Sequence, residues 1–290
     1  EDSVARRGVR VRDLLDADRL RNRLGQVLPE RNATLAWLGL PTFDLDELHG
    51  AALALGRQLA PYVGDGSEAV SNAWRSHRRV LFEGAQGALL DVHHGTYPFV
   101  TSSSTCAGGI SVGVGVPPRA VERTIGVAKA YLTRVGAGPF PTEALDARGD
   151  QLRAIGHEFG ATTGRPRRCG WLDLPALRYA HRINGFDALA ITKLDVLTGM
   201  DPIPVCTAYR VAGRELDVAD VDPATLQSAE PVYVEMAGWH APLREVTSLT
   251  ELPDAARRYL DHITTGVDVP IDVVSVGAGR NQTVVSRGPF

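Results

Sequence analysis

The run from Ala188 to Thr192, five residues without a charge that stop at Lys193-Leu194-Asp195, constrains the fold of this chain most. A short continuous apolar stretch of this kind reads as a strand buried on both faces, as in parallel sheets, with a loop at its carboxyl end. Such loops are where open parallel sheets meet ligands. Further strands are expected at Ile271 to Val276 and Thr283 to Ser286, and helices at Pro175 to Ile183 and Asp254 to Ile263. The alternation predicts an α/β fold with a largely parallel central sheet flanked by helices. Val205 to Val211 and Leu216 to Val218, separated by Gly213, predict a small antiparallel hairpin.

The leading segment has another texture. Leu14, Leu15, Leu20, Leu24 and Val27 recur at helical spacing between Val11 and Leu28, and further helices are expected at Leu45 to Tyr62 and Ser67 to Arg78. Val80-Leu81-Phe82, bounded by Gly84, reads as a short buried strand. Pro117-Pro118 stands where a helix over Ala120 to Tyr131 would begin. The expected organisation is one domain, with residues 1–78 mainly helical and 79–290 forming the α/β portion.

Thirty-one Lys and Arg against 34 Asp and Glu leave a formal charge of -3, so no global field draws the chain to nucleic acid or an anionic membrane. Any anion must be held by a local cluster. No apolar run approaches the roughly 20 residues of a membrane span and no signal peptide is evident, so a cytoplasmic location is expected. Cys106, Cys169 and Cys206 share no CxxC spacing, which argues for buried reduced thiols rather than a disulfide framework or zinc site. Only two lysines occur, Lys129 and Lys193.

Four constellations carry chemistry. In Phe82-Glu83-Gly84-Ala85-Gln86-Gly87 the glycines allow close approach to a ligand and the Gln86 amide suits a heterocyclic edge; a plain strand-to-turn remains the alternative. Val100 to Thr105 holds five hydroxyls that, with exposed amides, can cradle phosphate, or else form a solvated turn. His93 and His94 precede it, but sequence neighbours rarely point at one ion. Ala161 to Arg168 sets three guanidiniums beside two threonines and a glycine, a compact site for carboxylates or phosphate unless it is a solvated face. In Thr192-Lys193-Leu194-Asp195 an aspartate at a strand end can accept from two guanine donors while the lysine stem packs on the base and its ammonium stays in water. This element resembles the guanine-reading NKxD of GTPases; a strand-end ion pair is the alternative.

Taken in order, FEGAQG, DxxHGTYPFVTSS, RVGAGPFPTE, FGATTGRxRR, GWLD and TKLD resemble the adenylosuccinate synthetase family, from Arg6 to Phe290. The resemblance implies that family's P-loop-NTPase-like fold and its reaction, the GTP-dependent joining of L-aspartate to IMP through 6-phosphoryl-IMP in purine synthesis. It implies IMP contacts at Arg6, Gln86, Thr101 and Arg165, with Arg6 reaching the neighbouring active site of a homodimer. It implies an aspartate loop of Thr162, Thr163, Arg165 and Arg167, and GTP contacts at Arg167, Lys193, Leu194, Asp195, Ser275, Val276 and Gly277. The chain departs from the family pattern at His93, Ser104, Pro166, Val276 and Ala278. The family's GDEGKGK phosphate loop, its catalytic base and acid and its Mg2+ ligands have no counterpart here. They are expected in an amino-terminal portion before Glu1, so the chain alone is expected to be inactive and to hold no metal. Two alternatives stay open, a diverged ligase for another amino acid or purine and a non-catalytic nucleotide-binding remnant.

Overall fold

The computed structural model describes residues 2–160 and 164–288, and the chain divides into two compact units, Glu1–Ala69 and Val70–Phe290. The first is helical. Helix α1 (Ala17–Trp37) buries Leu20, Leu24 and Leu28 along one stripe and starts where the Asp16 carboxylate accepts from the Arg19 amide. That cap divides the helix expected over Val11 to Leu28, because a side chain that satisfies an orphan amide fixes a start at Ala17; Val11–Leu15 form a separate 3-10 turn. Helix α2 (Leu45–Leu59) is capped by Asp44. A β-carbon on its Gly56 would lie 2.1 Å from the Leu14 carbonyl oxygen, so only glycine lets α2 approach that turn. The boundary between the units falls within α3 (Gly66–Arg75).

In the second unit residues 76–124 are irregular apart from short turns, including α4 (Gly108–Ile110). The strand expected at Val80 to Phe82 does not form. Among the described residues nothing pairs with it and Leu81 is 74% exposed; a strand needs a neighbour for its backbone groups, which three apolar residues cannot supply. The helix expected over Ala120 to Tyr131 is instead strand β1 (Ile125–Lys129). Its β-branched residues favour extended backbone, Gly126 disfavours a helix, and the absent side chain at Gly126 makes room for Phe186, to which a β-carbon would come within 2.8 Å.

The remaining elements are β2 (Leu132–Arg134), α5 (Ala147–Ile155), β3 (Arg168–Gly170), β4 (Leu172–Asp173), α6 (Leu174–Asn184), β5 (Ala188–Thr192), β6 (Ile203–Val211), β7 (Arg214–Leu216), α7 (Pro223–Gln227), β8 (Glu230–Met236), α8 (Asp254–Val267), β9 (Ile271–Ser275) and β10 (Thr283–Val285). The main sheet has the order β1-β5-β9-β10, parallel across its first three strands and antiparallel at β10. β2 and β3 form an antiparallel pair, and β6 is flanked by β4, β7 and β8. The expected hairpin is β6-β7.

β5 is the central strand its sequence predicted: Ala188, Leu189, Ala190 and Ile191 are buried between layers that include Leu260 and Ile263 of α8 and Leu174 of α6. Burying each large aliphatic side chain contributes about 1.5–3 kcal/mol. Tyr259 of α8 is fully buried and its hydroxyl donates to the Ala130 carbonyl at 2.5 Å, fixing the turn that leaves β1. The three cysteines are buried free thiols.

Candidate functional site

The parallel strands end on one side of the sheet, bringing three predicted segments together. Lys129 lies opposite Thr192, and Ile191 opposite Val274, so Lys193 and Ser275 leave adjacent strands. Lys193 takes left-handed backbone (φ 60°) and turns the chain into a 3-10 segment, Leu194–Leu197. Leu194 is fully buried, so its side chain belongs to the core and is not open to a ligand. Asp195 is half-buried, and among the described residues its carboxylate has no hydrogen-bond partner. A partly desolvated carboxylate without a partner is costly and suits a bound donor. Across from it Ser275 Oγ donates to the Gly277 carbonyl at 2.9 Å. Val276 is buried, and a β-carbon on Gly277 would meet Gln282 Oε1 at 2.4 Å, so this turn closes on Gln282 and offers backbone groups.

The Lys193 ammonium is not in water as expected. It donates to Glu158 Oε1 at 2.8 Å and to the Gly156 carbonyl at 2.5 Å. The same Oε1 accepts from Lys129 Nζ at 2.8 Å and Tyr131 Oη at 2.6 Å, while Oε2 accepts from Arg167 Nη1 at 2.8 Å. Glu158 is fully buried, and a buried carboxylate draws in every cation within reach. Burial pushes its pKa up, but hydrogen bonds from Lys129, Lys193 and Tyr131 outweigh this and bring it down to about 2. Burial also lowers the Lys129 pKa, and the repulsion of Lys193 and Arg167 adds to that against the pull of Glu158. One carboxylate thus serves three cations; even with Asp195 counted, positive charge is in excess where the strands end. Such a surplus, partly shielded from solvent, favours an anionic ligand.

Arg167 begins the way out of the predicted anion loop. Its amide donates to the Glu158 carbonyl at 2.9 Å, Phe159 bridges Pro166, and the Gly160 amide donates to the Arg165 carbonyl at 2.8 Å, so both loop ends are clamped. Arg165, whose carbonyl forms part of the clamp, is exposed. Thr162 and Thr163 lie outside the described residues. The third guanidinium, Arg168, is engaged with Glu143 and lies over the Phe140 ring, a structural role rather than a ligand contact.

The predicted Gln86 and Thr101 segments meet in a second cluster. Gln86 is exposed, with left-handed backbone (φ 60°), and its amide makes no hydrogen bond among the described residues. The Thr101 amide donates to the Leu90 carbonyl at 2.8 Å, and Thr105 Oγ1 donates to the Gly87 carbonyl at 2.8 Å, joining the two loops. Both hang on Asp91, which is fully buried. Its Oδ1 accepts from the His93 and His94 amides, and its Oδ2 from Ser104 Oγ and the Thr105 and Cys106 amides. His93 and His94 thus serve through their backbone, and their side chains are exposed.

Burial would raise the Asp91 pKa, yet the four amides outweigh it and hold this carboxyl well below the usual carboxylate range. A depressed native pKa means that the stability Asp91 contributes is complete above the unfolded value, about 3.9, and is lost as pH falls below it. Glu158 acts in the same direction. Asp91→Asn, which turns an amide nitrogen toward donors, is expected to cost about 2 kcal/mol and to lower the melting temperature by roughly 6 °C at pH 7. Calorimetry checks this, and an unchanged transition would show that the loops do not depend on Asp91.

Arg6 lies in the other unit, exposed, with left-handed backbone (φ 59°) and Nη1 donating to the Val4 carbonyl at 2.8 Å. Sequence reasoning missed Glu158 and Asp91 as organising residues and marked Lys129 only as a rare lysine; no periodic signal identifies a carboxylate whose partners are distant in sequence. Among the described residues no group of three or more His, Cys, Asp or Glu is placed to hold a metal ion.

The sequence profile of the adenylosuccinate synthetase family matches residues 1–284. The adenylosuccinate synthetase of Pelobacter propionicus is 48% identical over all of this chain and 68% of its own length, and that of Desulfosudis oleivorans 50% identical over the same shares. Among solved structures, the fully ligated adenylosuccinate synthetase of Plasmodium falciparum superimposes with a TM-score of 0.92 at 33% identity, over 99% of this chain and 68% of that one. With strand-end Lys193 and Asp195, a clamped arginine loop and an Asp91-held hydroxyl loop in the family's order, the chain belongs to the adenylosuccinate synthetase family.

Proposed function

We propose that this chain supplies the nucleotide- and aspartate-binding part of a GTP-dependent ligase that joins L-aspartate to IMP, giving adenylosuccinate, GDP and phosphate. The observation that carries the assignment is the strand-end cluster, in which three cations share Glu158 beside the unpartnered carboxylate of Asp195. Asp195 accepts from the guanine N1 and N2 donors, and the backbone at Ser275, Val276 and Gly277 closes the base site. Lys193 and Leu194 hold the strand-end turn that presents Asp195. Arg167 serves both GTP and aspartate, and Arg165, Thr162 and Thr163 receive aspartate, with Arg165 also reaching IMP. Gln86 and Thr101 bind IMP on the loops that Asp91 holds.

The relatives extend beyond these residues, since the chain covers 68% of their length. We place the phosphate loop and the acid and base of the phosphoryl-transfer step in the part of the family's length not represented here. We assign the protein ligands of the family's Mg2+ to the same unrepresented part. None of the helices of the described residues is long and apolar enough to cross a membrane. Membership of this family of purine-synthesis enzymes, not that absence, is the ground on which we propose a cytoplasmic location.

Adenylosuccinate formation from IMP, GTP and aspartate by the full-length gene product tests the proposal, and no turnover with these three would overturn it. A second measurement tests the placing of Arg6 at a neighbouring subunit's IMP. Mixing Arg6→Leu with Gln86→Glu subunits is expected to recover up to roughly a quarter of the activity, because hybrid dimers hold one site with both native groups. Absence of recovery despite proven subunit exchange would place Arg6 outside a shared site.

A further inference from the structure

Glu158 has no ligand of its own in this assignment, yet its two oxygens face the two halves of the site. Oε1 holds Lys193, next to the guanine reader Asp195, and Oε2 holds Arg167 of the anion loop. Taking the ligand assignment above as given, we infer that Glu158 is a positioning residue that fixes Lys193 and Arg167 relative to each other, so that GTP and aspartate meet one preorganised unit.

Three features of the geometry support this. Backbone and side chain of the same short segment clamp both partners: the Gly156 carbonyl accepts from Lys193 Nζ at 2.5 Å, and the Glu158 carbonyl accepts from the Arg167 amide at 2.9 Å. Glu158 is fully buried, and Tyr131 and Lys129 also donate to Oε1, so the carboxylate cannot follow one partner and release the other without breaking those bonds. Finally, the cations outnumber the carboxylate, so Lys193 and Arg167 repel each other wherever Glu158 does not separate them. Ligand binding through either side chain therefore depends on a group that touches neither ligand.

The test is steady-state kinetics of the full-length gene product with IMP, GTP and aspartate, comparing the native enzyme with Glu158→Gln and Glu158→Asp. Gln keeps the shape and loses the charge; Asp keeps the charge but is one methylene too short to hold both partners. Both variants are expected to raise KM for GTP and for aspartate by about tenfold or more. KM for IMP should stay within about threefold, because Gln86 and Thr101 hang on Asp91 instead and Arg165 is tied through its carbonyl to the Gly160 amide rather than to the Glu158 carboxylate. A purely structural role would not produce this split. Equal rises in all three constants, or GTP and aspartate constants within about twofold of native in a folded Glu158→Asp enzyme, would overturn the inference. Should Glu158→Gln fail to fold, Glu158→Asp decides; failure of both overturns positioning in favour of folding alone. A native enzyme that needs neither GTP nor aspartate would instead sink the functional assignment and the inference with it, a result read before any variant is compared.

Discussion

Arg167→Ala in the full-length gene product is expected to raise KM for aspartate about 100-fold while KM for GTP rises less than about tenfold. The guanidinium is clamped at the exit of the anion loop by Glu158 Oε2 and by its own amide, so its forked donors point from a fixed base. Losing a charge-assisted, forked contact to a carboxylate removes about 3 kcal/mol of binding, which is the stated factor. GTP retains Asp195 and the Ser275 turn and loses less. The fold should survive, because Glu158 keeps Lys129, Lys193 and Tyr131 when Arg167 is gone. Initial rates against aspartate at saturating IMP and GTP, with a melting curve alongside, decide the matter. An aspartate constant within about threefold of native would remove Arg167 from the aspartate site and favour a different second substrate.

The second large effect is expected at Asp195. Its carboxylate has no partner among the described residues, so Asp195→Asn breaks nothing in the protein and should leave the melting temperature unchanged or slightly raised. A guanine base would lose much more. The carboxylate accepts from two donors, whereas an amide accepts from one and turns its own nitrogen toward the other, a cost of about 3 kcal/mol or roughly 100-fold in GTP affinity. ITP, which lacks the exocyclic amine, should lose less, so the preference for GTP over ITP should collapse. Competition by GDP and IDP in the same assay measures it. A preserved preference would assign guanine reading to other groups.

Different parts of this molecule were legible in the sequence for different reasons. β5 announced itself because a strand buried on both faces must be apolar at every position. The helices α2, α6 and α8 form where helices were expected, and the Asp44 and Asp173 carboxylates cap two of their starts. The type of ligand proposed for each cluster rests on residue chemistry: an amide between glycines, a row of hydroxyls, a run of guanidiniums, an aspartate after a strand. Two local readings failed because the decisive partner lay elsewhere. Val80 to Phe82 looks like a strand only until its neighbours are sought, and Ala120 to Tyr131 looks helical until β5 pairs with Ile125–Lys129 and Phe186 packs on Gly126.

By itself the sequence determined the elements whose signal is periodic and the chemical character of each candidate ligand-binding segment, because both depend on residues close together in the chain. Only the tertiary structure decided that Lys193 is held by Glu158 rather than left in water, that Leu194 belongs to the core, and that Asp91 gathers the Gln86 and Thr101 loops. The physical reason is the same in each case. A buried carboxylate must find its compensating donors wherever the fold brings them, and the partners of Glu158 come from Lys129, Tyr131, Arg167 and Lys193, which only the parallel pairing of β1 with β5 and the clamp beneath the anion loop bring within hydrogen-bond distance.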